Sequence, residues 1–323
     1  LEENALEGNI PSSLGHLSLL KTLSLSGNRL RGPIPPSFGN FKNLLSISLA
    51  RNYLTGPIPP SFKTFLQLQS LDLSFNSLSG MIPDFLGQFH NLTYIDMSNN
   101  QLSGHIPISM LNLANVQDLS LNHNQLTGTI PEQIESLKSL TSLSLSANRF
   151  IGHIPVSISR LQNLCSIDLS DNFFMDGIAS FFTNMTSLQK VKLSNNKLKF
   201  DLSEIKLPDG VSSVDLHSNQ LIGSLSRILN NRTSNFLEVL DVSGNQISGG
   251  IPEFIEGLSL KELNIGGNKI AGHIPSSISN LIELESLDVS RNHITGTIPT
   301  SLGLLKNLQW LDLSINGLTG KIP

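Results

Sequence analysis

The sequence predicts an α/β solenoid, in which stacked coils of chain each add one strand to a parallel β-sheet and one short helical turn to the opposite side. Three observations predict this class. An asparagine recurs at a nearly constant interval through the 323 residues, leucines alternate with polar residues just before it, and most intervals end in Ile-Pro. Recurrence at about 20–50 residues is the signature of stacked repeats.

The interval between asparagines is the strongest of these signals. The first eight intervals are 24 residues, and the other five are 23, 26, 23, 24 and 24. We call these residues the ladder asparagines: Asn4, Asn28, Asn52, Asn76, Asn100, Asn124, Asn148, Asn172, Asn196, Asn219, Asn245, Asn268, Asn292 and Asn316. They predict that residues 1–323 form a single solenoid of about 13 repeats.

The residues before a ladder asparagine predict a short strand. Leu23 and Leu25 alternate with Ser24, so one face of the strand is apolar. The asparagine that follows has a short amide that can satisfy backbone donors and acceptors in a buried turn. Because one coil cannot bury its own leucines, stacking must bury them.

The far side of each coil carries apolar residues at helical spacing. Leu14, Leu17 and Leu20 lie three residues apart, which suits a short helical turn. Phenylalanines occupy the core positions of this side in several repeats, and we expect them to pack together: Phe38, Phe41, Phe62, Phe65, Phe89 and Phe182.

The second half of the repeat reads L-x-G-x-I-P, as in Leu30 to Pro35, and Ile-Pro occurs in eleven of the fourteen repeats. The full pattern, L-x-x-L-x-L-S-x-N-x-L-x-G-x-I-P, resembles the plant-specific subfamily of leucine-rich repeats. The resemblance implies a right-handed superhelix with a parallel β-sheet on the concave face, short 3-10 helical turns on the convex face and an additional strand at L-x-G-x-I-P. Such repeats form the ectodomains of plant receptor-like kinases and receptor-like proteins, and secreted proteins such as polygalacturonase-inhibiting proteins.

Composition and motifs argue against several functional classes. Only 14% of residues are charged and the net charge is -4, which is not typical of proteins that bind nucleic acid or a membrane surface. No phosphate-binding, dinucleotide-binding, zinc-protease or serine-hydrolase motif occurs, and Cys165 is the only cysteine. We therefore predict a protein that is not an enzyme and has no cofactor and no metal site.

Three N-x-[ST] sequons begin at Asn91, Asn184 and Asn231. A chain rich in asparagine, serine and threonine also forms sequons by chance, but all three fall on the helical side of the coil. We predict glycosylation there. This agrees with the location that the resemblance implies, which is the cell wall or the outer face of the plasma membrane.

The repeat becomes irregular between residues 173 and 236. Gly-Ile-Pro is replaced there by Gly177-Ile178-Ala179 and by other sequences, and the intervals of 23 and 26 begin there. The chain begins inside a predicted strand and stops at an Ile-Pro. Because the end faces of a solenoid need polar caps, we expect the 323 residues to be an uncapped fragment of a longer protein.

The concave face is the predicted binding surface. Four residues before the ladder asparagine, the column is rich in serine and aspartate, including Asp96. Exposed aromatic and arginine residues are favoured anchors at interfaces. Large or charged residues are predicted to project at Arg51, Tyr53, Phe75, Tyr94, His123, Arg149, Phe173, Lys190, Lys192, Lys197, His217, Arg291, His293, Trp310 and Ile315.

Two patches are expected on this face. Arg51, Tyr53, Phe75 and Tyr94 lie on adjacent coils, and Lys190, Lys192 and Lys197 form a basic cluster near aspartates. Scattered surface variation is the alternative explanation for the first group. Charge balancing between the lysines and the neighbouring aspartates is the alternative explanation for the second.

The leading functional hypothesis is a recognition module that binds a protein, peptide or glycan in defence or developmental signalling, together with a possible membrane co-receptor. The alternative is a structural cell-wall protein, an enzyme inhibitor or an ice-associating protein. Long columns of identical small residues would favour a structural or ice-associating role, whereas bulky substitutions favour recognition.

Overall fold

The computed structural model describes residues 1–178, 181–182, 184–229 and 236–323. The chain divides into two compact units, Leu1–Leu164 and Cys165–Pro323. In each unit a coil contains a strand, a buried turn with the ladder asparagine and, in the regular coils, a second strand and a 3-10 helix. These coils are those of the predicted α/β solenoid, while the organisation of residues 1–323 as one domain stays a prediction.

From Asn28 onwards, the strand before each ladder asparagine pairs in parallel with its neighbours, and we call this arrangement the first sheet. Neighbouring strands pair without any shift in register, so that Leu71 lies beside Ile95 and Ile95 beside Leu119, all of them buried. The strands of the first unit are Thr22–Ser24, Ser46–Ser48, Ser70–Asp72, Tyr94–Asp96, Asp118–Ser120 and Ser142–Ser144. Those of the second unit are Ser166–Asp168, Lys190–Lys192, Ser213–Asp215, Val239–Asp241, Glu262–Asn264, Ser286–Asp288 and Trp310–Asp312.

Strands after the ladder asparagine pair in parallel as well, and we call them the second-sheet strands. This confirms the additional strand that the L-x-G-x-I-P motif implied. In the first unit they are Glu7–Asn9, Arg29–Pro33, Tyr53–Gly56, Ser77–Met81, Gln101–Gly104, Gln125–Gly128 and Arg149–Gly152. In the second unit they are Phe173–Asp176, Lys197–Leu198, Ala271–Gly272, His293–Gly296 and Gly317–Leu318, and Asp201 forms a single bridge with Ile222.

Proline of the Ile-Pro motif precedes each regular 3-10 helix. Pro35, for example, has φ -64° and ψ 131°, and the helix Pro36–Asn40 follows it. A proline in this extended conformation starts the helix where its missing N–H is not needed. The 3-10 helices are Ser12–His16, Pro36–Asn40, Pro60–Thr64, Asp84–Gln88, Ile108–Asn112, Glu132–Ser136, Val156–Arg160, Leu202–Glu204, Ser276–Asn280 and Thr300–Leu304.

The irregular repeats differ in this part of the coil. Leu202–Glu204 has three residues instead of five, and the Asp201 side chain accepts a hydrogen bond from the Ser203 N–H at its start. The next coil has a short α-helix, Ser226–Leu229, in place of a 3-10 helix. Asp201 stands at the position that a proline holds in the regular coils. Its carboxylate caps the helix, and this replaces the fixed φ of the proline as the feature that starts the helix.

Ladder asparagines hold each coil to its neighbour. The Asn148 amide donates hydrogen bonds to the carbonyls of Leu121 (2.9 Å), Leu145 (3.1 Å) and Ser146 (3.2 Å). Its Oδ1 accepts one from the Leu126 N–H at 2.9 Å, and the residue is only 7% exposed. Every ladder asparagine from Asn28 to Asn124 and from Asn196 to Asn316 repeats this pattern. Most of the ladder asparagines are buried as predicted, whereas Asn76, Asn100, Asn196 and Asn316 are half-buried and Asn4 is exposed.

The phenylalanines of the far side form part of the core. Phe38 and Phe41 are fully buried with ring centroids 4.9 Å apart, and Phe62 and Phe65 are fully buried with centroids 4.5 Å apart. The other members of the predicted set, Phe89 and Phe182, are buried as well. The prediction of a packed phenylalanine core is therefore confirmed.

Candidate functional site

The residue just before each ladder asparagine has a left-handed backbone. Its φ is close to +53° at Arg51 and Phe75 and +63° at Gly267. Glycine, asparagine and aspartate tolerate this conformation, whereas other side chains cost about 1–2 kcal/mol. The chain has tolerant residues at Gly27, Asn99, Asp171, Asn195, Gly244 and Gly267, but large ones at Arg51, Phe75, His123, Arg291 and Ile315.

Two arginine–aromatic pairs lie in the first unit. The Arg51 guanidinium is 5.1 Å from the centroid of the Phe75 ring, and that of Arg31 is 5.7 Å from the Tyr53 ring. Phe75 is 46% exposed and Tyr53 57%. Cations at such distances are attracted by the ring face, so each pair holds an exposed aromatic side chain in place.

The expected grouping of Arg51, Tyr53, Phe75 and Tyr94 stays a prediction. The contacts join Arg51 to Phe75, whereas Tyr53 begins a second-sheet strand and contacts Arg31, which the sequence analysis missed. The register of the second-sheet strands, in which Arg31 lies beside Tyr53, would have indicated this contact.

Tyr94 lies on the first sheet among carboxylates. Its hydroxyl donates a long hydrogen bond of 3.5 Å to Asp96. Burial, together with the negative charges of Asp96, Asp72 and Asp118, raises the pKa of Tyr94 to about 12. The phenol therefore stays neutral at physiological pH, within a locally negative part of the strand face.

Two more candidates of the first unit, His123 and Arg149, are exposed. His123 occupies a left-handed position. Arg149 begins the second-sheet strand Arg149–Gly152, beside Thr127. Their role in binding stays a prediction.

In the second unit, the basic cluster divides between two sheets. Lys190 and Lys192 are exposed on the first sheet, where Lys192 lies between Asp168 and Asp215 in the register. Lys197 instead lies on a second-sheet strand, with its ammonium 5.3 Å from the centroid of the Phe173 ring. Phe173 is thereby held as the aromatic residues of the first unit are.

His217 belongs to a hydrogen-bonded network. Its Nδ1 is 2.7 Å from Asp215 Oδ1, and potential ligand atoms of Asp215, His217 and Asp241 all lie within 4.8 Å of one another. Asp215 also accepts a hydrogen bond from Ser194 (2.9 Å), and Asp241 accepts one from Ser243 (2.6 Å). No metal site is predicted from the sequence. Asp215 and His217 lie two residues apart, and the pairing of strand Ser213–Asp215 with strand Val239–Asp241 brings Asp241 beside Asp215.

Trp310 is half-exposed at the edge of a groove on the first sheet of the second unit. The groove has a volume of about 350 Å³. It is lined by Ser243, Gly244, Asn264, Gly266, Gly267, Asp288, Ser290, Arg291, Trp310, Asp312 and Ser314. Among the predicted residues, the structure therefore brings Trp310 together with Arg291.

Two of the three sequons begin at exposed asparagines. Asn91 is exposed between the helix Asp84–Gln88 and the strand Tyr94–Asp96. Asn184 is exposed and has a φ of 67°. Asn231 lies outside the described residues, and glycosylation stays a prediction at all three positions.

Comparison with known proteins agrees with this coil architecture. A family model described as Leucine rich repeat matches residues 42–102 and 259–318. A second model with the same description matches residues 19–41, 115–137, 139–161 and 236–258, and together the matches cover more than half of the chain. The chain belongs to the leucine-rich repeat family. No curated protein sequence matches it.

Solved leucine-rich repeat structures include plant receptors. A TDR receptor is 28% identical with a TM-score of 0.82, and the match covers 100% of this chain and 60% of that one. The Arabidopsis receptor kinase HAESA, in complex with the peptide hormone IDA and the co-receptor SERK1, is 30% identical with a TM-score of 0.63. That match covers 99% of this chain and 66% of HAESA. A plant ice-binding protein is 31% identical with a TM-score of 0.67, and the match covers 73% of this chain and 78% of that one. The chain thus spans less than two thirds of either receptor.

Within the described residues, no helix is both long enough and apolar enough to cross a bilayer.

Proposed function

We propose that this leucine-rich repeat chain is an extracellular recognition module that binds a peptide or protein partner, and that it is not an enzyme. The observation that carries the proposal is the pair formed by Arg51 and Phe75. Both residues stand at left-handed positions that glycine or asparagine would occupy at lower cost, and both expose their side chains. A costly conformation that is kept at an exposed arginine–aromatic pair indicates a functional demand on those side chains.

The chemistry around this pair suits a peptide or protein surface. Aromatic and arginine residues supply most of the binding energy in protein interfaces because they bury a large area and also form hydrogen bonds. Tyr94 adds a neutral hydroxyl next to carboxylates. The similarity to HAESA in complex with a peptide hormone supports a peptide ligand.

The same similarity supports the rest of the proposal. HAESA is a receptor kinase bound to a co-receptor in that structure. We therefore infer a role in plant defence or developmental signalling at the cell wall or plasma membrane, together with a membrane co-receptor. The proposed contact residues are the predicted ones: Arg51, Tyr53, Phe75, Tyr94, Asp96, His123, Arg149, Phe173, Lys190, Lys192, His217 and Trp310.

An array of synthetic 12-residue peptides, incubated with the chain, tests the proposal. Selected peptides are then measured in solution by calorimetry against Phe75→Asn, which places a tolerant residue at the left-handed position. Losing a central aromatic anchor should weaken binding about tenfold or more, since such anchors contribute about 2 kcal/mol. The melting temperature should not fall, because relief of the backbone offsets the lost contact with Arg51.

Ala147→Asn is the matched control. Ala147 has the same left-handed backbone in the first unit, with φ +51°, but a small side chain. It should leave peptide affinity unchanged. The proposal fails if no peptide binds, or if Phe75→Asn binds every selected peptide as tightly as the unmodified chain.

Association with ice is the second candidate, and the similarity to a plant ice-binding protein is the observation that favours it. An ice-recrystallisation assay of the chain at micromolar concentration decides between the two. Strong inhibition that survives Phe75→Asn would assign the activity to ice and not to the exposed pair.

A further inference from the structure

Three glycines line the groove beside Trp310, so no side chains fill this part of it. Gly244 and Gly267 stand at the left-handed positions of successive coils, and Gly266 precedes Gly267 on the first sheet. In the next coil, the left-handed position holds Arg291 instead. The glycines leave space above the backbone, and the Arg291 side chain borders this space, so that a groove forms.

Gly266 makes room for a carboxylate. A β-carbon at Gly266 would lie 2.9 Å from Asp288 Oδ1 and 3.2 Å from Asp288 Oδ2, closer than atoms normally approach. Asp288 therefore extends over the backbone of Gly266, where its Oδ1 accepts a hydrogen bond from the Ser290 N–H at 2.8 Å. A β-carbon at position 266 would therefore require the Asp288 carboxylate to shift.

Asp312 adds a second carboxylate to the same groove. It lies beside Asp288 in the register of the sheet. The hydroxyl and backbone N–H of Ser314 hold the pKa of Asp312 below its usual range, with a smaller contribution from the charge of Arg291. Within the described part of the chain, no ion pair within 4.0 Å joins Arg291 to either carboxylate.

The polar groups of the groove offer acceptors more than donors. The Ser243 hydroxyl donates to Asp241 at 2.6 Å. The Asn264 amide donates to Asp241 at 3.0 Å, and the Ser314 hydroxyl is engaged by Asp312. These donors are used within the protein. Arg291 adds one cationic side chain to the lining, so the groove presents two carboxylates, one guanidinium and the half-exposed indole of Trp310.

We propose that this groove binds the guanidinium of an arginine side chain in a peptide, held by Asp288 and Asp312 and stacked against Trp310. The inference rests on the proposed function and names the chemical group that this part of the chain recognises. A guanidinium is planar, carries five N–H donors and no acceptor, and stacks on aromatic faces while forming charge-assisted hydrogen bonds to carboxylates. Two carboxylates beside the single arginine of the lining leave the groove with a net negative charge, which favours a cationic group over a neutral sugar.

Trp310 is the only tryptophan in the sequence, so its fluorescence reports directly on the groove. The probe is an acetylated and amidated pentapeptide, Gly-Ser-Arg-Ser-Gly, titrated into the complete chain. Its partner has citrulline in place of arginine, which keeps the size and removes the charge. We expect a saturable change in emission with the arginine peptide and at least tenfold weaker binding of the citrulline peptide.

Variants place the binding in the groove. Asp288→Asn and, independently, Asp312→Asn should each weaken the arginine peptide about tenfold, and Gly266→Ala should weaken it by displacing the Asp288 carboxylate. Asp168→Asn is the matched control, because Asp168 has the same position in its coil and also accepts a hydrogen bond from the N–H two residues later. Circular dichroism establishes that each variant is folded.

Four outcomes would overturn the inference: no response to the arginine peptide, equal binding of the citrulline peptide, an equal loss in Asp168→Asn, or a Trp310 response to cellotriose in place of the peptide. Each is distinguishable from failure of the proposed function. That function is measured with the peptide array and with Phe75→Asn, which lies in the other unit.

Discussion

Replacing Asn148 by alanine measures what one ladder asparagine contributes. The substitution removes the two N–H donors that three carbonyls share at 2.9 to 3.2 Å, and the bond that Oδ1 accepts from the Leu126 N–H. Leu126 is fully buried, so its N–H loses its partner in a place that water does not readily reach. At about 0.5–1.5 kcal/mol for each bond, and more for a buried group left without a partner, the loss is about 2–4 kcal/mol.

Asn115→Ala is the control for the same chemical change on the surface. The Asn115 amide is exposed and donates a single hydrogen bond, to the His90 carbonyl at 2.8 Å. Its loss should cost less than about 1 kcal/mol, because water replaces the bond.

Two measurements follow the loss at Asn148. Guanidinium denaturation gives the change in stability, and hydrogen exchange of the Leu126 amide shows where it arises. In a solenoid each coil depends on its neighbours, so protection should fall first in the coils around Asn148. Equal destabilisation by Asn148→Ala and Asn115→Ala, or unchanged protection of Leu126, would refute the ladder as the source of stability.

Two further predictions concern the backbone and the titration of Tyr94. Ile315 is β-branched and exposed at a φ of 54°, so Ile315→Asn should raise stability by about 1 kcal/mol in chemical denaturation, and a loss would contradict the conformational argument. In Tyr53→Phe, Tyr94 is the only tyrosine, and its absorbance at alkaline pH should titrate near 12; a midpoint near 10 in the folded chain would contradict the burial among carboxylates. Because the unfolded phenol ionises first, stability should fall as pH rises from about 10 towards 12.

The sequence was most informative where a feature depends on positions within one coil. The alternation of Leu23 and Leu25 predicts a strand, and the amide of Asn148 predicts a buried turn, because each coil repeats the same local environment. The phenylalanines at Phe38 and Phe62 are buried for the same reason. Periodicity of this kind is visible in the sequence and needs no knowledge of which coils touch.

The candidate site was harder to predict because it depends on register between coils. Arg31 and Tyr53 stand at different places in their repeats, and only the pairing of their strands brings them together. Tyr94 looked like one more exposed aromatic residue, whereas its pKa is raised by burial and then by aspartates from its own strand and from the strands on either side.

By itself, therefore, the sequence determined the coil, its buried asparagine and the family to which the chain belongs. Only the tertiary structure showed that Arg51 and Phe75 have a left-handed backbone and that the Asp288 carboxylate lies over Gly266. The physical reason is that a repeat pattern specifies which face of a coil is buried. Backbone dihedrals and contacts between coils instead depend on how neighbouring strands align, and that alignment exists only in the folded stack.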